Sequence, residues 1–323
     1  MLIPIRYLDL FSSSTIIMTL LALAGLSLTA CQSLPEPDLE ATTMPDTQTL
    51  KTDQGTLAYD LQGEGPLVIM LPGLGDLRQS YRFMAPELAA AGYTAVTMDL
   101  RGHGETSVPW DSYSTESVSR DLLALIDHVD RGPAVVVGNS FSAGVAVWAA
   151  TENPDAVHSI VMIGPFVRDH EISLIQRVGM TVLFNGPWKI RSWLWFHNTL
   201  FTDEKPEDHD HYRARLRANL SEPYRFDAVK GMIDRSDAEV EARLAQVSQP
   251  TLIIMGTLDP DYTDPEEEAE WIAAQLNGEI ALIEDAGHYP QAEKPEDTLH
   301  ALMPFLRNQG REGSPPVTSQ AGD

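Results

Sequence analysis

The sequence predicts an α/β fold: a mostly parallel sheet flanked by helices, interrupted late in the chain by an inserted helical cap. Three observations carry that reading. Short β-branched or apolar runs alternate with longer stretches of helical period, the rhythm of strands joined by crossover helices. Runs such as Val68-Ile69-Met70-Leu71 and Val135-Val136-Val137 are apolar at every position, which suits strands covered by helices on both faces. The interval between the runs at 159–163 and 252–255 is far longer than one crossover helix needs. Residues 167–247 therefore read as the insertion.

Taken in order, an edge strand at 48–52 precedes the Asp53-Gln54-Gly55 turn. Strands follow at 56–61, 67–71, 94–98, 134–137, 159–163, 252–255 and 280–283. Helical stretches fall between them at 81–91, 115–129, 143–151, 265–276 and 295–307. The insertion holds Trp188, Trp193 and Trp195, half of the six tryptophans, with Phe184, Phe196 and Phe201. Aromatics at that density serve either core packing or the wall of an apolar acyl pocket. Residues 31–47 read as a tether and 308–323 as a tail, because Pro, Thr, Gly and acidic residues there have no apolar period to bury. The folded domain is expected to span 48–307.

The chain has 47 Asp+Glu against 22 Lys+Arg, a formal charge of −25. So acidic a surface repels phosphate backbones, and nucleic acid is excluded as an expected partner. A single cysteine, Cys31, rules out an internal disulfide. The glycine pairs Gly73-x-Gly75 and Gly102-x-Gly104 never extend to a dinucleotide fingerprint. His209-Asp210-His211 lacks the spacing of a metal site. No cofactor or metal is expected.

The strongest motif is Gly138-Asn139-Ser140-Phe141-Ser142, where the apolar 134–137 run passes through small residues into a helical pattern. A serine there can sit on a sharp turn that lifts its hydroxyl above the sheet. The segment resembles the nucleophile elbow of the α/β-hydrolase family, and the resemblance extends over about residues 48–307. The family pattern is Gly-x-Ser-x-Gly, and Ser142 departs from it at the last position. A hydroxyl needs a base to take its proton, and the base needs an orienting carboxylate. The family order of serine, acid, histidine implies Ser140 as nucleophile, Asp259 in the loop after the 252–255 strand as acid, and His288 in Ala286-Gly287-His288 as base. Asp261 and Asp264 are rivals for the acid. The resemblance further implies oxyanion donors at the N–H groups of Phe141 and Leu74, the latter in Pro72-Gly73-Leu74-Gly75-Asp76. The segment from Met98 to Ser107 also matches a family motif, in which Asp99 and Arg101 brace loops and His103 has no catalytic part.

The N-terminus carries a different signal. Residues 10–35 bear no charge, and 16–30 are almost wholly apolar. That run is shorter than the roughly 20 residues a bilayer span needs, but it suits a secretory h-region. It ends in Leu28-Thr29-Ala30-Cys31, which resembles the lipobox of bacterial lipoproteins. Residues 1–30 are thus expected to be a signal peptide and Cys31 a lipidation site. The implied location is extracytoplasmic and lipid-anchored, at the outer membrane or periplasm in a Gram-negative source. The rival readings are an uncleaved N-terminal anchor with an incidental cysteine and a plain secreted form.

The expected function is that of a serine hydrolase acting on a small-molecule apolar ester or acyl substrate through an acyl-enzyme. The same triad could instead serve carbon–carbon cleavage, lactone opening, acyl transfer or perhydrolysis, or the scaffold could be a retired enzyme that only binds. Haloalkane dehalogenases and epoxide hydrolases use an aspartate at the elbow, so Ser140 argues against both.

Overall fold

The computed structural model describes residues 45–169 and 174–312. The expected signal peptide, Cys31, most of the tether and most of the tail lie outside them. Eight strands form one sheet: β1 Gln48–Lys51, β2 Thr56–Gln62, β3 Leu67–Leu71, β4 Thr94–Met98, β5 Ala134–Asn139, β6 Val157–Ile163, β7 Thr251–Gly256 and β8 Glu279–Ile283. Their spatial order is β1-β2-β4-β3-β5-β6-β7-β8. β2 pairs antiparallel with β1 and β4, and every other pairing is parallel. The mostly parallel sheet is the one expected.

The period of two along the central strands divides their side chains between two cores. Ile69, Val136, Ile160, Met162, Ile253 and Met255 enter one, while Met70, Val137, Val161, Ile163 and Ile254 enter the other. Helices α1 Met84–Ala90, α2 Thr115–Val129, α3 Phe141–Glu152, α9 Pro265–Leu276 and α11 Pro295–Glu312 close these cores, and the short α10, Pro290–Glu293, precedes α11. α2 shows why the sequence makes such a helix. Val118, Leu122, Leu125 and Ile126 repeat at helical spacing and are buried. Ser114 caps its start by accepting from Ser117 N–H, and Asp130 ends it in the left-handed region. α9 uses the same devices through Asp264, Pro265 and Asn277. Each fully buried Leu, Ile or Val contributes roughly 1.5–3 kcal/mol.

Helix ends differ from the sequence expectation where local geometry intervenes. In place of a helix over 81–91 there is a 3-10 turn at Arg78–Tyr81 and then α1. Pro86 sits in the first turn of α1, where its missing N–H costs nothing. α3 begins directly after Ser140, two residues earlier than its apolar pattern suggests.

The interval 167–247 holds α4 Leu174–Asn185, α5 Lys189–Thr199, α6 His209–Leu220, α7 Arg225–Ile233 and α8 Ala238–Leu244. It is not one block. The chain divides into two compact units, and residues 197–247 belong to the unit that holds the sheet. α8 packs on α3, with Val240 and Leu244 in the sheet's core. The second unit's described residues are 174–196. Within it Trp193 meets Phe184 and Phe196, each at 5.6 Å between ring centroids. Trp188 and Trp195 are exposed. Among the described residues, no helix is long and apolar enough to cross a membrane.

Candidate active site

Three loops at the carboxyl ends of parallel strands carry the candidate residues, the position where open α/β sheets bind ligands. Ser140 follows β5, Asp259 follows β7 and His288 follows β8. Ser140 stands at φ 55°, ψ −122°, immediately before α3. L-residues rarely occupy that region, and holding one there costs about 1–3 kcal/mol. The surrounding packing over-determines it. A Cβ on Gly138 would lie 2.2 Å from the Ser142 carbonyl, so only glycine lets β5 and α3 approach this closely. Ser140 N–H donates to the Ile163 carbonyl at 2.8 Å. Ser142, the departure from the family pattern, has a role of its own: its Oγ donates to the Pro72 carbonyl at 2.5 Å, tying the elbow to the loop after β3.

His288 and Asp259 are both buried, and Nδ1 of the histidine lies 2.7 Å from Oδ2 of the aspartate. The ionised carboxylate can only accept, so Nδ1 carries a proton and Nε2 is the ring's proton-accepting atom. Burial pulls the His288 pKa down, but Asp259, its hydrogen bond, Asp261 and Glu293 outweigh that and hold it at about 9. Of the rival acids, Asp264 is occupied as the cap of α9. Asp261 is not: its Oδ2 is 3.6 Å from His288 Nδ1. Burial and the Asp259 charge raise the Asp261 pKa against the pull of His288, to about 6. Ligand atoms of Asp259, Asp261 and His288 lie within 4.8 Å of one another, the one such group of three among the described residues. The short Asp259–His288 bond already engages it.

Several groups that hold this pair have no signal in the local sequence. Gly164, at φ 51°, stands where a Cβ would be 3.0 Å from His288 Nδ1 and 3.1 Å from Asp259 Oδ2. Asn139 donates from Nδ2 to the carbonyls of Ile163 and His288. Glu293 accepts from the N–H groups of Gly287 and Tyr289, on either side of the histidine. Phe166 lies edge-on to the His288 ring at 5.9 Å and gives the site an apolar flank.

The loop from Pro72 to Asp76 is fixed at several points. Besides the Ser142 bond, Gly75 N–H donates to His103 Nε2 at 2.9 Å, and His103 Nδ1 lies 3.0 Å from the Arg101 carbonyl. Nδ1 is therefore the protonated nitrogen. Burial depresses the His103 pKa to about 4, which keeps the ring neutral and Nε2 able to accept. Asp76 Oδ1 accepts from the Tyr212 hydroxyl at 2.5 Å and ties the loop to α6. Leu74, between these anchors, is half-buried. Phe141 opens α3, where helix geometry leaves the N–H without an intrahelical acceptor.

Below these loops Arg101 forms a two-pronged pair with Asp121, both contacts at 2.7 Å. Asp99 accepts from the N–H groups of Arg78 and Glu105 and from the Arg78 guanidinium. Arg78 also pairs with Asp60 and Glu105. Three carboxylates around one buried guanidinium offset its desolvation. His209 meets Asn198 and packs on Phe201.

Residues 66–295 match the profile of the family described as alpha/beta hydrolase fold. An epoxide hydrolase of Caballeronia sordidicola is 34% identical over 120 residues, 36% of each chain, so the match spans little more than a third of that relative. A bromoperoxidase of Bacillus anthracis superposes with a TM-score of 0.71 at 23% identity, covering 81% of this chain and 100% of the other. An esterase of Exiguobacterium antarcticum does so at 0.71 with 18% identity, covering 82% and 100%. The family match takes in most of the chain and all the loops just described: the protein belongs to the α/β-hydrolase fold family.

Proposed function

We propose that the protein is a carboxylic ester hydrolase in which Ser140 is the nucleophile, His288 the base and Asp259 the orienting acid. The observation that carries the reading is the buried 2.7 Å His288–Asp259 bond, on loops adjoining a serine held at positive φ. His288 Nε2 takes the Ser140 proton as Oγ attacks the acyl carbon. The N–H groups of Leu74 and Phe141 stabilise the oxyanion, and the imidazolium then protonates the leaving alcohol. Water, activated by the same histidine, releases the acid. The Phe166 flank favours an apolar acyl or alcohol group.

The test is labelling by a fluorescent fluorophosphonate, wild type against Ser140→Ala. Labelling should vanish with Ser140, and persistence of the label would refute the assignment. An ester panel then reads the substrate. Turnover of sugar esters alone, with none of fatty esters, would overturn the apolar preference, and inertness toward all esters would turn attention to the other bonds this triad can break.

We propose further that residues 1–30 are a signal peptide, that Cys31 is lipidated outside the cytoplasm, and that 31–47 tether the domain at 48–307. The order of apolar run, small residues and cysteine supports this. Cys31→Ser should block processing or release the protein from membranes. Unchanged mass and unchanged attachment would refute it.

A further inference from the structure

Helix α4 presents an outward stripe that is unusual for this chain. Leu174, Val178 and Val182 recur at a spacing of four, and all three are exposed, Leu174 at 76%. Residues at that spacing lie one above another on a single helix face. Trp188 extends the stripe beyond the C-terminal end of α4. Its indole N–H donates to the Val182 carbonyl at 2.9 Å, yet the side chain remains exposed, at 47%. Arg177, three residues after Leu174, is exposed at the border of the stripe. On α5, Trp195 is exposed one turn from the exposed Arg191.

The charge of the segment runs against the rest of the molecule. The chain carries 47 acidic residues and a net −25, yet no Asp or Glu occurs between Glu171 and Asp203, where Arg177, Lys189 and Arg191 all fall. A contiguous exposed apolar stripe marks an interaction surface. An apolar helix face with Trp and bordering Arg or Lys has the composition of helices that lie in a lipid interface, and local loss of acidic groups removes repulsion from anionic headgroups. A second copy of this chain fits less well, because pairing the stripe with itself would bring the arginines of both copies together. We propose that the face made by Leu174, Val178, Val182 and Trp188, flanked by Arg177, docks on the surface of a bilayer containing anionic lipid. This contact is separate from any N-terminal anchor and leaves Ser140, Asp259 and His288 uninvolved.

The test uses the full chain on vesicles of phosphatidylcholine and phosphatidylglycerol, with and without bromine on the acyl chains, and reads tryptophan emission. Bromolipid quenches only indoles that reach the acyl region, so the readout is independent of attachment through residues 1–31. Wild type should be quenched, more weakly on pure phosphatidylcholine. Trp188→Phe should lose at least half of the quenching while still sedimenting with the vesicles. Val178→Glu/Val182→Glu should lose most of it while keeping fluorophosphonate labelling, which reports that the sheet unit is folded. Equal quenching in wild type and both variants would overturn the proposal. So would a wild type that sediments unquenched, held by its N-terminus alone, or one that dimerises through α4 without quenching. Ester turnover is scored separately, so failure of the docking face and failure of the hydrolase reading are distinguishable.

Discussion

Replacing Asp261 by Asn tests how this candidate site sets the charge of His288, its proposed base. Asp261 Oδ2 lies 3.6 Å from His288 Nδ1, and its side chain is 18% exposed. Its carboxyl, with a pKa of about 6, is ionised wherever His288, at about 9, changes protonation. An anion at this distance favours the imidazolium, whereas the proposed general-base step needs the neutral ring. Coulomb's law gives about 1.2 kcal/mol at 3.6 Å with the dielectric of water, and roughly four times that at an effective value near 20. With 1.36 kcal/mol per pKa unit, the water-like end is already about one unit, and partial exposure places Asp261 nearer that end. The rising limb of kcat/KM should therefore move about one unit toward lower pH in Asp261→Asn. Below both pKa values each unit is tenfold in neutral base, so kcat/KM at pH 7 should rise about tenfold and be unchanged above pH 10. The assay is a soluble p-nitrophenyl ester across pH 5–10 in constant ionic strength. An unshifted limb, or one moved to higher pH, would refute the electrostatic reasoning. The backbone N–H of Asp261 donates to Asp259 Oδ1 at 3.0 Å and survives the substitution, so loss of orientation does not confuse the result. Asp259→Asn is the contrasting variant: it also removes an anion that raises the His288 pKa, so the limb should again move to lower pH, but kcat should fall by on the order of 10³–10⁴ because the amide no longer fixes the Nδ1-protonated ring.

Gly164→Ala should cost about 1–2 kcal/mol in stability, from a side chain at φ 51°. It should lower kcat tenfold or more by pressing on Nδ1 of His288, and chemical denaturation beside steady-state kinetics separates the two effects. A variant with normal kcat would show that the pair tolerates displacement. Two buried histidines should give stability opposite dependences on pH, as read from urea midpoints. His103, lowered to about 4, is kept neutral by the fold, so its contribution is present above pH 6.5 and is lost as pH falls toward 4. His288, raised to about 9, is kept protonated, so its contribution is present below pH 6.5 and is lost as pH rises through 9. Each histidine contributes on the order of 3 kcal/mol from its shift alone. Asp261, raised to about 6, gains stability as pH falls through 6 and offsets the His103 loss, so the alkaline limb is the diagnostic one, and a flat alkaline limb in wild type would contradict the raised His288 pKa.

What the sequence disclosed, and what it withheld, follows from the range of the interactions involved. Strands β3, β5 and β7 were legible because a fully buried parallel strand must be apolar at each position, a property of a few consecutive residues. The loops bearing Ser140 and Asp259 were legible because each follows such a strand, and the loop bearing His288 follows β8, a half-exposed edge strand whose 280–283 run is still apolar, so finding the strand finds the loop. Gly164 was not legible. Its lack of a side chain answers to atoms of residues 259 and 288, and nothing beside it in the chain announces that need. Arg78 was missed for the same reason, since its partners Asp60, Asp99 and Glu105 come from three separate segments. The 167–247 interval shows a third limit. Its helical period is visible, but a period states only that a helix has an apolar face and not what covers it. α8 places that face on α3, inside the sheet's own core. α4 leaves Leu174, Val178 and Val182 outward. The apolar residues of both recur at a spacing of four; the difference between a structural flank and a surface with an unmet partner is decided by neighbours far along the chain. That is why the loops of the candidate site could be read from motifs, whereas the face proposed to meet lipid had to be read from exposure and charge.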